Sequence, residues 1–250
     1  VVSEPVLLLD GVWKGFDRGG AFSVLEDVSL TVFAGELQSI VANRDQGKST
    51  LLRIAAGLVR PDRGSVRVAG LELGGLKDAE HSAVLRELVG LAARAGPGTQ
   101  PWMGEYVTLR LASGQGLSRR ERRMRVAAVL ERLDVADCAK SRWADLSNLQ
   151  RMRVELAQAI VTKPSLLLVD DIIDGLALGL GKTKDAMELL RELAQEVGCG
   201  VLMVASDDLA AIPSDVVWKL TGKKLRLMAD NRTNSNITPI NDAIIARRAS

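Results

Sequence analysis

Residues 39–53 read SIVANRDQGKSTLLR, and the reading of the whole chain turns on them. Ile40 to Ala42 is a short apolar strand, and Gly47-Lys48-Ser49-Thr50 opens a helical run carrying Leu51, Leu52, Ile54, Ala55 and Leu58. Strand, loop and Gly-Lys-Ser at a helix start form the context that a phosphate-binding loop requires. Backbone N–H groups and the helix dipole face an anion there, a lysine supplies full positive charge, and a hydroxyl can ligate magnesium. The pattern G-x-x-x-x-G-K-[ST] wants glycine where this chain has Ala42, and such loops often add another where it has Asp45. The stretch reads as a nucleotide-binding scaffold whose chemistry has been largely dismantled.

Outward from it, residues 6–9 and 24–32 read as strands with Gly19-Gly20 marking the turn between them. Residues 33–36 form a turn into strand 37–42. The helix after the loop ends near Gly57, and 60–64 is a turn before strand 65–69. A helix over 78–88, a short buried strand over 89–93 and a loop over 95–104 follow. From 105 to 162 the pattern is helical, broken near 114–116 and before Ser147, with Val126, Val129, Leu130 and Leu133 at helix spacing. Strands 165–169 and 201–205 flank an amphipathic helix over 183–197 that Gly198 stops. Strands alternating with helices around an all-helical insert predict an α/β core with a helical sub-domain at about 95–162. Past Gly222 the chain turns polar. Residues 229–241 read as a linker and 242–248 as at most a short docked helix.

The bulk numbers exclude several classes. With 33 Lys plus Arg against 31 Asp plus Glu, no overall field calls for nucleic acid. Cys138 and Cys199 show no metal spacing and read as reduced, structural thiols of a cytosolic protein. No apolar run approaches the roughly 18–20 residues that span a bilayer, and the start lacks a signal-peptide pattern, so a membrane role is expected to come through a partner chain.

A phosphate-binding loop needs a second element, an acid at the end of a buried strand that holds magnesium. Leu166-Leu167-Leu168-Val169-Asp170-Asp171 supplies it. Between the two lies Leu146-Ser147-Asn148-Leu149-Gln150-Arg151, then Val154, Ala157 and Ala159 running to Lys163-Pro164. Here the chain resembles the ATP-binding subunits of ABC transporters, whose signature LSGGQ precedes such a helix and such a strand. The resemblance covers roughly residues 6–222, and the framework VLEDVSLTV, GKSTLLR, RPDRGSVRV and KPSLLLVD is nearly continuous. Details around 86–111 are most similar to the subfamily serving lipoprotein-release, macrolide-export and cell-division permeases. The resemblance implies a P-loop NTPase (RecA-like) core with an N-terminal antiparallel β sub-domain and the helical sub-domain. It sets an ABC-type ATP-binding domain at 1–228 and a polar C-terminal linker and tail at 229–250.

Residue by residue, the resemblance implies nucleotide contacts from Gln46, Gly47, Lys48, Ser49, Thr50 and Ser147, and magnesium held by Ser49 and Asp170. Phe16 stands where the family's aromatic stacks on adenine; on composition alone it is equally a core phenylalanine. Elsewhere the match fails. Asp45 brings a carboxylate to the phosphate cradle, where one like charge at ~4 Å opposes binding by up to about 4 kcal/mol unless solvent screens it. Arg44 beside it would partly neutralise it. Asp171 replaces the catalytic glutamate and is one methylene short; a displacement of that order can cost ~10²-fold in rate. Ser206 stands for the histidine that touches the terminal phosphate, Arg94 for the glutamine of the coupling loop, and Ala177 for an aspartate. The two signature glycines are Asn148 and Leu149, while Ser147 and Gln150 keep a capping box for the following helix.

Two such subunits pair head to tail in the family, each site joining one loop to the other's signature. This chain is altered in both halves, which favours an intact second ATP-binding subunit as partner over self-pairing. The resemblance implies a degenerate subunit at the cytoplasmic face of the membrane. It would be peripheral there, bound to a permease, and would use ATP and Mg2+ only weakly. Its rivals are a working ATPase with Asp171 as base, and a nucleotide-free interaction protein on the same fold. The basic run Arg119, Arg120, Arg122, Arg123 and Arg125 could meet acidic phospholipid or nucleic acid, yet reads first as a solvated helix face. His81, the single histidine, lies in a polar helix start and reads as a surface residue. Trp102 is open between an interface anchor on a membrane subunit and core packing.

Overall fold

In the computed structural model, residues 4–16, 23–43, 45–93, 96–97, 101–111, 116–170, 180–205 and 214–232 are described. In chain order the strands are β1 (Leu7–Gly15), β2 (Ser23–Val32), β3 (Leu37–Val41), β4 (Arg63–Val68), β5 (Leu71–Glu72), β6 (Val89–Ala93), β7 (Leu166–Asp170), β8 (Gly200–Ala205), β9 (Val216–Thr221) and β10 (Lys224–Asp230). The helices are α1 (Lys48–Ala55), α2 (Asp78–Leu88), α3 (Met103–Leu109), α4 (Arg119–Arg132), α5 (Asn148–Ile160) and α6 (Leu180–Val197). Two sheets result. An antiparallel one runs β2-β1-β4-β5, and a six-stranded one runs β10-β9-β3-β8-β7-β6. In the second, β3 is parallel to both β8 and β9, and β7 is parallel to β6 and β8.

The apolar runs explain why this sheet is covered on both faces. Successive side chains of a strand point to opposite sides, so LLLV in β7 feeds two cores at once. Leu166 and Leu168 pack with Ile40, α1 residues Leu51, Leu52 and Ile54, and the antiparallel sheet. Leu167 and Val169 pack with α5 and α6 on the other side, through Val154, Leu156, Leu190 and Leu193. Helix α5 sits very close to β6: a Cβ at Gly90 would lie 2.5 Å from the Ala159 carbonyl oxygen. A buried polar chain locks β3 to its neighbours. The Gln38 side-chain amide donates to Thr31 O (2.9 Å) and Glu36 Oε2 (2.8 Å), and Trp218 Nε1 donates to Gln38 Oε1 (2.9 Å).

Several expected boundaries move. The first strand, expected to stop at 9, runs to Gly15, because register shifts after Leu9 and Val12 let it bend past Asp10-Gly11 while pairing with β2 and β4. The turn expected at Gly19-Gly20 lies outside the described residues. Within the expected loop 95–104, Met103 begins α3 and is fully buried. The stretch after Gly222, read as turning polar, forms a further strand before the expected linker at 229. Gly222 and Lys223, both with positive φ (54° and 69°), make a two-residue turn between β9 and the edge strand β10, which exposes Lys224 and Arg226 together with Leu227 and Met228. Residues 229–232, expected to begin the linker, continue this edge: Arg232 is tied to Asp230 and, at 3.1 Å, to Glu36.

The helical part follows the pattern. Val126, Leu130 and Leu133 are buried on one side of α4, and Ser118 and Glu121 box its start, leaving Arg119, Arg120 and Arg123 exposed. Between α3 and α5, the Tyr106 hydroxyl donates to the Glu155 carboxyl, with its oxygens 3.1 and 3.2 Å away. Trp102 is on the surface, 42 % exposed, with the Arg142 guanidinium 4.1 Å over its ring. His81 is half-buried, and both cysteines are buried free thiols whose burial pushes them up to about 11.

Candidate nucleotide-binding site

Strand β3 is buried at all five positions and paired on both sides, so the chain that leaves it at Ala42 starts from a fixed point. It turns outward through Asn43 and Asp45 and enters α1 at Lys48. Two residues of the turn are left-handed, Asp45 (φ 61°) and Gly47 (φ 92°). At Gly47 only glycine serves, since a Cβ would lie 2.6 Å from Val24 Cγ1 and 3.2 Å from the Val24 carbonyl oxygen. At Asp45 the chain keeps a backbone that glycine would favour and carries it with aspartate, whose short polar side chain tolerates that region. That side chain is exposed.

No side chain caps the start of α1 and its first turn holds no acid, so its leading N–H groups and the positive end of its dipole are aimed at the loop. Lys48 Nζ donates to Ala42 O at 2.5 Å and to Ala205 O, at the end of β8, at 3.3 Å. Ser49 Oγ donates to Asp170 Oδ1 at 3.4 Å. Strand β7 lies one strand beyond β8 from β3, roughly 10 Å away at the usual spacing, and the first turn of α1 spans that gap. Gln46 and Thr50 are half-buried within the same stretch. The six residues from Asp45 to Thr50 and Asp170 thus converge at the carboxyl edge of a parallel sheet, where α/β folds bind ligands.

Phe16 projects from the end of β1, 61 % exposed, with Lys14 Nζ 5.7 Å from its ring centre. That exposure removes the alternative of a core phenylalanine. The neighbouring β2 end carries Val24 against Gly47, so the strand pair that bears Phe16 abuts the loop. Asp62 ties this end down: it accepts from Lys14 Nζ at 2.6 Å and from the Gly15 N–H at 2.7 Å, and the Lys14 bond, then that from Gly15, holds its carboxyl below the usual range. Nothing in the sequence linked Asp62 to Phe16, because the contact joins residues 48 positions apart.

Ser147 does something different. As cap of α5 it accepts from the Gln150 N–H (3.3 Å), while its own N–H donates to Gln150 Oε1 (2.9 Å). This is the capping box that the spacing suggested, and among the described residues no hydrogen bond brings Ser147 to the loop. Asp171, Ser206, Arg94, Ala177 and Arg44 lie outside the described residues. The donor set fits a magnesium–triphosphate in its main parts: a left-handed glycine without room for a Cβ, an uncapped helix start, an ammonium, and a hydroxyl beside a carboxylate. Among the described residues no cluster of three or more His, Cys, Asp or Glu side chains is placed to hold a metal ion by itself. No helix among them is long and apolar enough to cross a membrane.

Parallel core, antiparallel lobe and helical lobe, with Gly-Lys-Ser and an acid meeting at one sheet edge, define an ATP-binding cassette of the P-loop class. Comparison with known proteins gives the family: the ABC transporter profile matches residues 25–174, and the chain belongs to that family. It is 34 % identical over 221 residues to the methionine import ATP-binding protein MetN of Rhizobium meliloti, covering 86 % of this chain and 61 % of that protein. Against the macrolide export ATP-binding/permease protein MacB 1 of Yersinia pestis it is 32 % identical over 227 residues, 90 % of this chain and 34 % of that one. The chain therefore spans less than two thirds of the curated relatives it matches. Among solved structures, MJ0796, a bacterial ABC transporter cassette solved as a dimer, superposes with a TM-score of 0.79 at 27 % identity, over 90 % of this chain and 99 % of that one. The cbiO1 protein of Clostridium perfringens shares the fold at the same TM-score and 20 % identity, over 98 % and 94 %.

Proposed function

We propose that the chain is a degenerate ATP-binding subunit of an ABC transporter complex, which binds nucleotide weakly and supports assembly or regulation of a membrane permease. The observation that carries this reading is a carboxylate, Asp45, placed in the same loop as an otherwise serviceable anion scaffold. Because that side chain is exposed, solvent screens much of its repulsion, and binding is weakened without being abolished. In this reading Gly47, Lys48, Gln46 and Thr50 hold the phosphates, Phe16 stacks on the base, and Ser49 with Asp170 holds Mg2+. The ion, when bound, supplies charge neutralisation between phosphate oxygens. Ser147 serves first as a helix cap. Asp171 is the weak remnant of the catalytic carboxylate.

The binding unit, expected over 1–228, extends through Arg232, since that residue pairs with Glu36 next to β3. A permease contact is supported by an open groove of about 610 Å3 on the helical part, where exposed Trp102 stands with Glu105, Arg123, Val126 and Leu130. The subunit would lie peripherally at the cytoplasmic face, paired with a second, intact ATP-binding subunit, with no nucleic-acid partner. Turnover of the complex is expected to be insensitive to Asp171→Ala; a collapse of ATPase activity on that change overturns the proposal. The contact between Ser49 and Asp170 favours the second reading, a competent ATPase, under which Lys48→Ala abolishes transport.

A further inference from the structure

Asp62 bonds to three consecutive residues of β1. Its N–H donates to Trp13 O at 2.9 Å, its Oδ1 accepts from Lys14 Nζ at 2.6 Å, and its Oδ2 accepts from the Gly15 N–H at 2.7 Å. The ladder to β2 stops where Gly15 pairs with Ser23, so Phe16 stands just beyond the last paired position. The turn that presents Asp62 is stiff. Pro61, its φ fixed by the ring, precedes it. Gly64 follows so close to β1 that a Cβ there would lie 2.4 Å from Gly11 O. Lys14 has two neighbours at once: its ammonium is bonded to Asp62 and lies 5.7 Å from the centre of the Phe16 ring.

An exposed aromatic side chain past the end of a ladder has several orientations open to it, and ordering it costs conformational entropy. A base stacks on one of them, so the apparent affinity falls by the fraction of chains that hold it. Asp62 narrows the choice. It fixes the backbone just before Phe16, and it keeps the Lys14 ammonium over the ring, which leaves the opposite face for a ligand. We infer that Asp62 is a positioning residue for nucleobase binding: its clamp on Trp13, Lys14 and Gly15 presets Phe16, while the phosphates are held separately at Gly47 to Thr50. The inference rests on the reading of Phe16 as the base platform, and deepens it. It assigns the base's share of affinity to a side chain on a different strand connection, which acts through the ring.

Calorimetric titration of the full chain with Mg-ATP and with Mg-tripolyphosphate, which has no base, gives the base's share as the ratio of the two affinities. Phe16→Ala should lower that ratio about tenfold, the scale of base–aromatic stacking. Asp62→Ala should lower it about threefold to fivefold, since the lost bonds are an exposed ion pair and one backbone contact. Asp62→Asn keeps an acceptor for the Gly15 N–H without the charge that Lys14 meets, and should lie between. A change in overall charge or stability moves both ligands together and leaves the ratio alone. Because Asp62 acts through Phe16, adding Asp62→Ala to Phe16→Ala should lower the ratio no further. A ratio lowered by Phe16→Ala but unchanged by Asp62→Ala overturns the inference alone. An equal loss for both ligands in Asp62→Ala, or additive losses in the double variant, does the same. An unchanged ratio in Phe16→Ala, or no binding of either ligand, overturns the reading of the site and the inference with it.

Discussion

Replacing Glu155 by glutamine should change how the stability of this protein depends on pH. Glu155 is 4 % exposed in the core of the helical part, and the Tyr106 hydroxyl is the hydrogen-bond donor it meets. One phenolic proton serves one carboxylate oxygen at a time, so an ionised Glu155 would leave the other short of a donor. Burial outweighs the opposing effect of that hydrogen bond and pushes the carboxyl up to about 7 from 4.5. The folded chain then keeps a proton that the unfolded chain gives up. By linkage the contribution to stability is complete below the unfolded value of 4.5, declines as pH rises, and is gone once pH passes about 7. Between about pH 5 and pH 8 this single group removes roughly 2–3 kcal/mol, a large fraction of a domain's stability. Glu155→Gln keeps an acceptor for Tyr106 and has no proton to lose. Urea unfolding of both chains at the two pH values, at fixed ionic strength, gives a difference of differences that isolates the group. The parent should lose roughly 2–3 kcal/mol more than the variant over this interval. Equal losses in the two chains would refute the reasoning and leave the buried pair with no role in titration.

Three further outcomes can be checked on the same protein. Asp45→Gly removes an exposed carboxylate from the loop and should raise Mg-ATP affinity about threefold to tenfold by calorimetry, less at high salt. Asp170→Asn should lower affinity for Mg-ATP by about tenfold while leaving binding of ATP in chelator unchanged, because in the proposed site the carboxylate, which accepts from Ser49, is the group that would hold the ion. Arg232→Ala leaves Asp230 and Glu36 without their guanidinium in a part-buried setting, and should destabilise by about 3 kcal/mol in urea, the loss growing as Asp230, whose carboxyl the Arg232 bond holds below its usual range, ionises.

Much of the site was legible because its geometry is local. Gly47, Lys48 and Ser49 must follow one another at a strand-to-helix turn, so spacing alone placed the loop, and the four apolar residues before Asp170 placed the strand that brings the acid. The box of Ser147 and Gln150 is local in the same way. Contacts between distant segments were not legible. Asp62 reaches Gly15 across 47 positions, Lys48 reaches the carbonyl of Ala205 across 157, and neither leaves a trace in periodicity. The edge strand β10 was missed for another reason: its residues are only partly buried and mix Lys224 and Arg226 with Leu225, Leu227 and Met228, so no clean alternation marks it, and its end at Asp230 overlaps the stretch read as linker from 229.

What the chain's own order of residues determined is the class: an α/β cassette with a phosphate loop, a partner acid and altered signature glycines, since each rests on short-range chemistry. The tertiary structure alone decided that Phe16 is exposed beside the loop, that Asp45 faces solvent, that Glu155 is buried on Tyr106, and that Asp62 meets Lys14 and Gly15. The physical reason is the same in every case. Burial, screening and charge pairing depend on which segments pack together, and a sequence read locally carries the side chain without the surroundings that set its energy.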